Sequence, residues 1–459
     1  MTTIDERDTG VARPGDPAFE AATRVFNLAT PARPAAAVTA RTIDQIRAAI
    51  GHARAEGLSV RVHTTGHASG TARPMDGALL IRTDLEGGVE VDAARRVARV
   101  PAGTLWGDVV DAAAPYGLTA PHGSSPTVGV VGYLLRGGLS FYGRHIGLAI
   151  NSVRAVELVT ADGELRRVDA GSDPELFWAL RGGGGGFGVV TAVEVALFPA
   201  AKVITGATYW PAAHAEGLLS AWRRWTLDAP DEVTTSLRVM NLPPVPGVPP
   251  ALAAGPVICV DGAVLSLDGD VTAATRQAED LLGPLRAVAE PVMDDWRLTE
   301  PSAVLRAHME PDDPIAIAGD HMLLREIGDD GAAAFLRLLG AGSGSPFVVA
   351  GLRQLGGAYG RPSPGGGALD HLDAHYAYSG AGVAEDAAVT AAIEEHCAKV
   401  RAALSPWDTG RTAPSFVENF AQPQGHLSAA QAERADRVRD RVDPGGLFRG
   451  DVSPGATAR

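Results

Sequence analysis

The chain of 459 residues is too long for one ordinary hydrophobic core, so two domains are expected. With 46% hydrophobic and 20% charged residues it has the make-up of a soluble globular protein, and no apolar run approaches the roughly 20 residues of a bilayer span. A formal charge of −14 without a Lys/Arg run argues against a nucleic-acid partner, and two cysteines, Cys259 and Cys397, exclude a disulfide framework or a cysteine zinc site. The acidic start, MTTIDERDTG, does not read as a secretory signal, so a cytoplasmic protein is expected.

In chain order, TIDQIRAAIGHARAEG (42–57) has Ile43, Ile46 and Ile50 at helical spacing, with Thr42 to cap it and Gly57 to stop it. LSVRVH then alternates as a strand does and runs into VHTTGHASG (62–70). ALLIRT, VEVDAARRVARVPAG and VRAVELVTADGELRRV read as further strands and hairpins. DPELFWALRGGGGGFGVVTAVEVALF reads as a short helix, a glycine loop and a long strand. Beyond about residue 203 the helices lengthen (AEGLLSAWRRWTL, TAATRQAEDLLGPLRAV, DAAVTAAIEEHCAKVRAAL) and alternate with strands such as FVVAGLRQL. LPPVPGVPP (242–250) and GRPSPGGGA (360–368) read as loops within a domain. The fold class is α+β, with a second domain inserted in the first.

Three stretches carry the chemistry. RGGGGGFG (181–188) contains a formal G-x-G-x-x-G from Gly183, but it follows a helix and precedes a strand, the reverse of the dinucleotide fingerprint. Its bare backbone suits either a turn or the close approach of an anionic or planar ligand. PHGSSPTVGVVGYLLRGGLSFYGRHIGL (121–148) interleaves glycines with apolar residues, so it is not one regular element and can wrap a long ligand, with Ser124, Ser125 and Thr127 adding hydroxyls. His63 and His67 would share a metal only on a helix, which the intervening Thr-Thr-Gly opposes; no metal is expected. GSSPTVG is not a hydrolase nucleophile elbow.

Together with LRQLGGAYGRP, DHLDAHYAYS, APSFVENF and VDPGGLFRGDVSP, these stretches resemble the FAD-linked oxidases of the vanillyl-alcohol-oxidase type, and within them the berberine-bridge-enzyme-like branch with its bacterial small-molecule oxidases. The resemblance covers nearly the whole chain, from about residue 16 to residue 454. It implies a two-part FAD-binding domain, 1–203 completed by 411–459, and an inserted substrate domain, 204–410, whose antiparallel sheet is backed by helices. It implies that Gly66-His67 is the pair whose histidine is bonded to the flavin 8α-methyl, so that His67 carries FAD. Thr64, Thr65 and Gly66 would serve the diphosphate, flanked by Val62 and Ala68. His63, where many relatives have arginine, is either a phosphate contact or a loop histidine. Further cofactor contacts fall on Pro121, Gly123, Ser124, Ser125, Thr127, Val128, Gly129, Gly132, Tyr133, Gly138, Gly143 and Leu148, and on Gly186, Gly188, Val189 and Val190. Some relatives fix the flavin a second time through a cysteine before Pro-Thr-Val-Gly; Ser125 stands there, so one tether is expected.

The family's usual tyrosine base falls on Val417, which cannot accept a proton, while Asn419 remains to hydrogen-bond flavin or substrate or to cap a loop. Replacements come from HLDAHYAYS. As a strand it would put Leu372, Ala374, Tyr376 and Tyr378 on one face and His371, Asp373 and His375 on the other, leaving His371 and Tyr378 as candidate bases. Tyr133 and Tyr142 are further possibilities, and Glu418 serves only if the backbone turns it inward, against strand alternation beside Asn419. The resulting reading is an FAD-dependent oxidase of a small or medium organic molecule, in secondary metabolism, with molecular oxygen as acceptor. The alternative is a flavin protein of the same fold that catalyses a non-redox cyclisation or isomerisation. Substrate identity and oligomeric state are not written in these motifs.

Overall fold

A computed structural model describes residues 10–266, 269–423 and 425–450; the acidic first nine residues and 451–454 of the C-terminal motif lie outside the described residues. The chain begins with a three-stranded parallel sheet of Ala36–Ala40, Ser59–His63 and, between them, Ala78–Thr83. Helix Ile43–Ala55 joins the first two strands. Its start is fixed by a capping box: Thr42 Oγ1 accepts from Gln45 N at 3.2 Å, and Gln45 Oε1 accepts from Thr42 N at 3.2 Å. Ile46, Ala49, Ile50 and Ala53 form its buried stripe against the sheet. The last strand of this unit, Ser59–His63, delivers the histidine motif from its C-terminal end.

Next comes a five-stranded antiparallel sheet in the order Glu90–Asp92, Val97–Pro101, Val189–Ala196, Val153–Val159, Leu165–Val168. The third and largest sheet is eight-stranded and antiparallel. Its path runs Met293–Asp294, Val203–Pro211, Val257–Leu265, Val233–Met240, Val349–Gln354, Tyr376–Val383, Ile317–Leu324, with Arg297–Thr299 also paired to Val203–Pro211. Helices Ala215–Leu227, Val271–Arg286, Gly328–Leu339 and Ala387–Leu404 contribute apolar side chains to the core on one face. Strand alternation sorts the residues: Leu237, Val239, Val260 and Leu352 enter the helix-side core, where each fully buried side chain is worth roughly 1.5–3 kcal/mol. Their neighbours Ser236, Arg238, Asp261 and Arg353 are equally buried, on the opposite face.

The chain then returns. Helix Ala429–Val442 packs on helix Pro174–Leu180, tied by Arg434–Glu175 (2.6 Å) and Arg441–Asp173 (3.0 Å), and Phe448 bridges Val60 in parallel and enters the core of the first sheet. Two local expectations fail. HLDAHYAYS is extended only from Tyr376, because His371 to His375 form an irregular loop. APSFVENF is a 3₁₀ turn over Pro414–Phe416 followed by irregular backbone, so no strand alternation holds beside Asn419. Among the described residues no helix is long and apolar enough to cross a membrane.

Candidate functional site

A cavity of about 1060 Å³ opens between the polar face of the large sheet and the loops of the first unit. Its wall draws on the histidine motif, the second glycine loop, the 414–421 segment and sheet residues including Arg238, Arg353, Ser379 and Ala381. Gly132 lies in this wall with nothing within 4 Å of where a Cβ would sit, so its bare backbone leaves room that a side chain would fill.

His67 is anchored from both sides. Its ring stacks on Phe26 (centroids 3.7 Å apart, planes 15° apart), and Nε2 lies 3.4 Å from Thr127 Oγ1. Burial depresses its pKa to about 4, with the Thr127 contact opposing, so the imidazole is neutral and keeps a nucleophilic lone pair at physiological pH. Gly66 brings it there with φ +71° and a Cβ position 2.7 Å from the backbone and side chain of Val25. Gly66→Ala is therefore expected to cost about 1–3 kcal/mol in backbone strain alone and to displace His67. A thermal-melt comparison together with the fraction of protein carrying tightly held cofactor measures both effects.

His63 lines the cavity, and its Nε2 is engaged with Ala22 O at 2.8 Å. Burial lowers its pKa to about 4 against that bond, with Arg82 also lowering it. Thr64 Oγ1 is likewise engaged, with Thr83 Oγ1 at 2.8 Å.

The structure divides the remaining candidates. Val62, Thr65, Ala68, Gly123, Ser124, Ser125, Val128, Gly129 and Tyr133 line the cavity, and Thr127 touches it through His67. Pro121, Gly138, Gly143 and Leu148 do not line it: the latter three serve packing, Gly138 against Tyr133, Gly143 against Tyr359, and Leu148 in an apolar cluster with Ile150 and Tyr359. Gly186, Gly188, Val189 and Val190 also lie off the cavity wall. At Gly186 a Cβ would sit 2.9 Å from Arg439 Nε, and at Gly188 2.6 Å from Val159 O; Val189 and Val190 are buried in core clusters. The five-glycine loop lines the cavity through Gly182, Gly184 and Gly185 instead, and it also docks the returning C-terminal helix, since Arg439 donates to Gly183 O (2.9 Å) and Gly185 O (3.1 Å).

Neither expected base reaches the cavity. Tyr378 points to the helix side of the sheet, packed edge-on against Phe335, because its strand starts only at Tyr376 and the register sets Tyr376 and Tyr378 in that core. His371 sits in the irregular loop with Nδ1 2.6 Å from Asp370 Oδ1, and His375 is exposed. Tyr142 is buried in a separate cluster near Phe198. Asn419 does line the cavity, but its Oδ1 accepts from Ala421 N at 2.7 Å, which leaves the Nδ2 amide for a ligand.

Glu418 takes the place they leave. The 3₁₀ turn breaks the alternation and sets Glu418 in the wall, with no hydrogen bond or ion pair to its carboxylate among the described residues. Burial pushes its pKa up to about 7, with Arg136 pulling it down and Glu310 and Asp320 adding to the rise. Arg136, half-buried and donating to Thr71 Oγ1 at 2.7 Å, lines the same wall. The other groups not anticipated are Arg238, Arg353 and His308. Their signal in the sequence was slight: two arginines inside otherwise apolar strands, VTTSLRVM and VAGLRQ.

A cavity of this size, walled on one side by a glycine-rich loop and a glycine–histidine pair and roofed by an antiparallel sheet, matches the architecture that holds a flavin dinucleotide. Residues 34–169 match the FAD binding domain family. The chain carries an FAD-binding domain and has the fold of the berberine-bridge-enzyme-like proteins. It is 33% identical to (R)-6-hydroxynicotine oxidase of Paenarthrobacter nicotinovorans over 226 residues, 49% of this chain and 48% of that protein. It is 30% identical to xylooligosaccharide oxidase of Thermothelomyces thermophilus over 223 residues, 47% of this chain and 45% of that protein. The chain thus spans about half the length of the curated relatives it matches. Among solved structures, 6-hydroxy-D-nicotine oxidase from Arthrobacter nicotinovorans superposes with a TM-score of 0.81 at 24% identity, covering 98% of both chains. BBE-like 1 of Physcomitrella patens gives 0.81 at 20% identity, covering 98% and 97%.

Proposed function

We propose that the chain is an FAD-dependent oxidase of a small or medium organic molecule, with FAD held by segments 1–203 and 411–459 and the substrate taken between them and segment 204–410. The observation that carries the reading is the half-buried, neutral His67 at the wall of a cavity larger than the roughly 300–1,000 Å³ of ordinary ligand pockets, which leaves room for cofactor and substrate together. His67 is the single covalent anchor, Ser125 being unable to form a thioether. The room beside Gly132, and the cavity-lining Thr65, Gly66 and Gly129, fit a dinucleotide that must lie close to backbone. Bound FAD would supply a two-electron acceptor for hydride, with molecular oxygen as the final acceptor and hydrogen peroxide as its product.

The chain's own groups do the rest. The Glu418 carboxylate takes the proton from the substrate's O–H or N–H, and a pKa near 7 lets it be both a competent base and largely ionised just above neutrality. Asn419 Nδ2 orients the same group, while Phe416 and Val417 present apolar surface that keeps water from the reacting centre. Relatives named for a hydroxylated nicotine and for a xylooligosaccharide set the test panel: cyclic amines, tertiary ones included, and saccharides. Under anaerobic conditions a substrate is expected to bleach the flavin absorbance, and air to restore it with one equivalent of peroxide. Conversion of substrate with the flavin spectrum unchanged throughout would overturn the oxidase reading.

A further inference from the structure

We propose that the substrate of this site carries an anionic group, a carboxylate, seated on Arg353 and His308 in the roof of the cavity. The inference rests on the oxidase reading only for the placement of substrate in this cavity.

Four polar residues from three adjacent strands face the cavity side of the sheet, set by register: Ser236 lies opposite both Asp261 and Arg353, and Arg238 opposite Cys259 and Gly351. Gly351 is what admits Arg238, since a Cβ there would sit 2.6 Å from Arg238 Cγ. Asp261 is committed to Arg238, accepting from its Nε at 2.7 Å, and it also accepts from Ser236 Oγ. Arg238 donates in addition to His308 O at 3.0 Å, so it is satisfied.

Arg353 is different. It is 3% exposed and lines the cavity, yet no carboxylate lies within ion-pair distance among the described residues. Nη1 donates to Leu139 O at 3.0 Å and Nη2 to His308 Nε2 at 2.6 Å, while Nε is buried without an acceptor. The guanidinium lies 4.0 Å from the Phe141 ring centroid and 5.5 Å from that of Phe416. Two buried guanidinium groups thus share one carboxylate, and a buried cation without a counter-charge is costly unless a ligand provides it.

His308 completes the receptor. Its Nε2 lies 3.1 Å from Ser236 Oγ and 3.4 Å from Asp261 Oδ1, but its shortest contact is Arg353 Nη2 at 2.6 Å; a guanidinium can only donate, which makes Nε2 the acceptor and puts the ring proton on Nδ1. Burial, with Arg238 and Arg353 adding to it, holds the ring neutral by pushing its pKa well below the usual value. Nδ1–H is then a fixed donor. The acid nearest to it, Glu310, is 3.8 Å away, outside hydrogen-bond reach, exposed, and held by Ser124 Oγ at 2.8 Å. Arg353 and His308 Nδ1–H together present a charged fork and a neutral donor, the pattern that suits the two oxygens of a carboxylate, and the cavity-lining Phe416 suits a flat neighbouring group. The same cation could instead serve negative charge that develops on the reduced cofactor, and the test separates the two.

The holoprotein is titrated with benzoate and with its neutral isostere benzamide, following the flavin absorbance and, independently, the heat of binding. Benzoate is expected to bind at least about tenfold more tightly than benzamide, the loss typical of one charge-assisted contact. Arg353→Met abolishes the preference, and Arg353→Lys, which keeps the charge without the fork, restores part of it. Equal binding of the two ligands by the wild type, or no benzoate binding at all, overturns the proposal, and neither outcome depends on the folding of a variant. A preference that survives in Arg353→Met overturns it too, as does a variant in which only the flavin midpoint potential moves. A purified protein without flavin sinks the oxidase reading alone, because the calorimetric comparison of the two ligands still reports on the receptor.

Discussion

His67→Ala is expected to yield a protein from which acid precipitation releases all flavin into the supernatant, whereas the wild type carries its flavin into the pellet and gains the mass of one FAD. The ring is neutral, stacked on Phe26 and presented by Gly66 at the cavity wall, so one ring nitrogen keeps its lone pair for a carbon–nitrogen bond while Thr127 orients the other side. Thr127→Ala removes the orienting contact, together with the 3.0 Å bond to Ser125 Oγ, and is expected to slow attachment without abolishing it. With the tether gone, the isoalloxazine is positioned by noncovalent contacts alone, and turnover is expected to fall by at least about tenfold, equivalent to about 1.4 kcal/mol of transition-state stabilisation. Intact mass spectrometry of both proteins decides the matter. A wild type that shows no added mass removes His67 from its role as carrier and leaves FAD bound but unlinked.

The second large effect is at Glu418, where activity and stability are expected to move in opposite directions. Removing a general base typically slows a reaction about 10²- to 10⁴-fold, so Glu418→Gln should lose that much in kcat. The wild-type rate should rise with pH through about 7 and level off, and the residual rate of the variant should lack that limb. The stability argument follows from the same burial. The folded-state pKa is raised from 4.5 to about 7, so between those values the folded protein holds a proton that the unfolded chain has released. Stability therefore falls as pH rises through that window and stays reduced above it, by an upper bound of ~3 kcal/mol. Glutamine carries no charge to desolvate, so the variant should melt higher than wild type at pH 8 and alike at pH 4. A variant that is slower but no more stable would mean that Glu418 is ion-paired in solution. One more stable but equally active would remove it from the chemistry.

The capped helix after Thr42, the hairpins, the glycine loops and the Gly66-His67 pair were legible in the amino-acid sequence, because each depends on backbone and side-chain preferences within a few residues. Thr42 and Gln45 find each other across three positions, and Gly66 meets its left-handed conformation whatever surrounds it. The same holds for the architecture: long helices alternating with strands after residue 203 become the four helices behind the large sheet. What tertiary structure alone decided is which face of each strand meets the cavity. Tyr378 looked like a base until the start of its strand at Tyr376 turned it into the helix core, and Glu418 looked misdirected until a 3₁₀ turn over Pro414–Phe416 broke the alternation around it. Asp261, His308 and Arg353 are separated by 47 and 45 residues along the chain, and only sheet register and the loop after Arg306 bring them together. Strand side chains alternate with a period of two, so a shift of one residue exchanges cavity for core at every position, and local sequence carries no information about that shift. The Gly66-His67 pair proposed as the cofactor anchor was therefore written locally, and the groups proposed to meet the substrate were written across the fold.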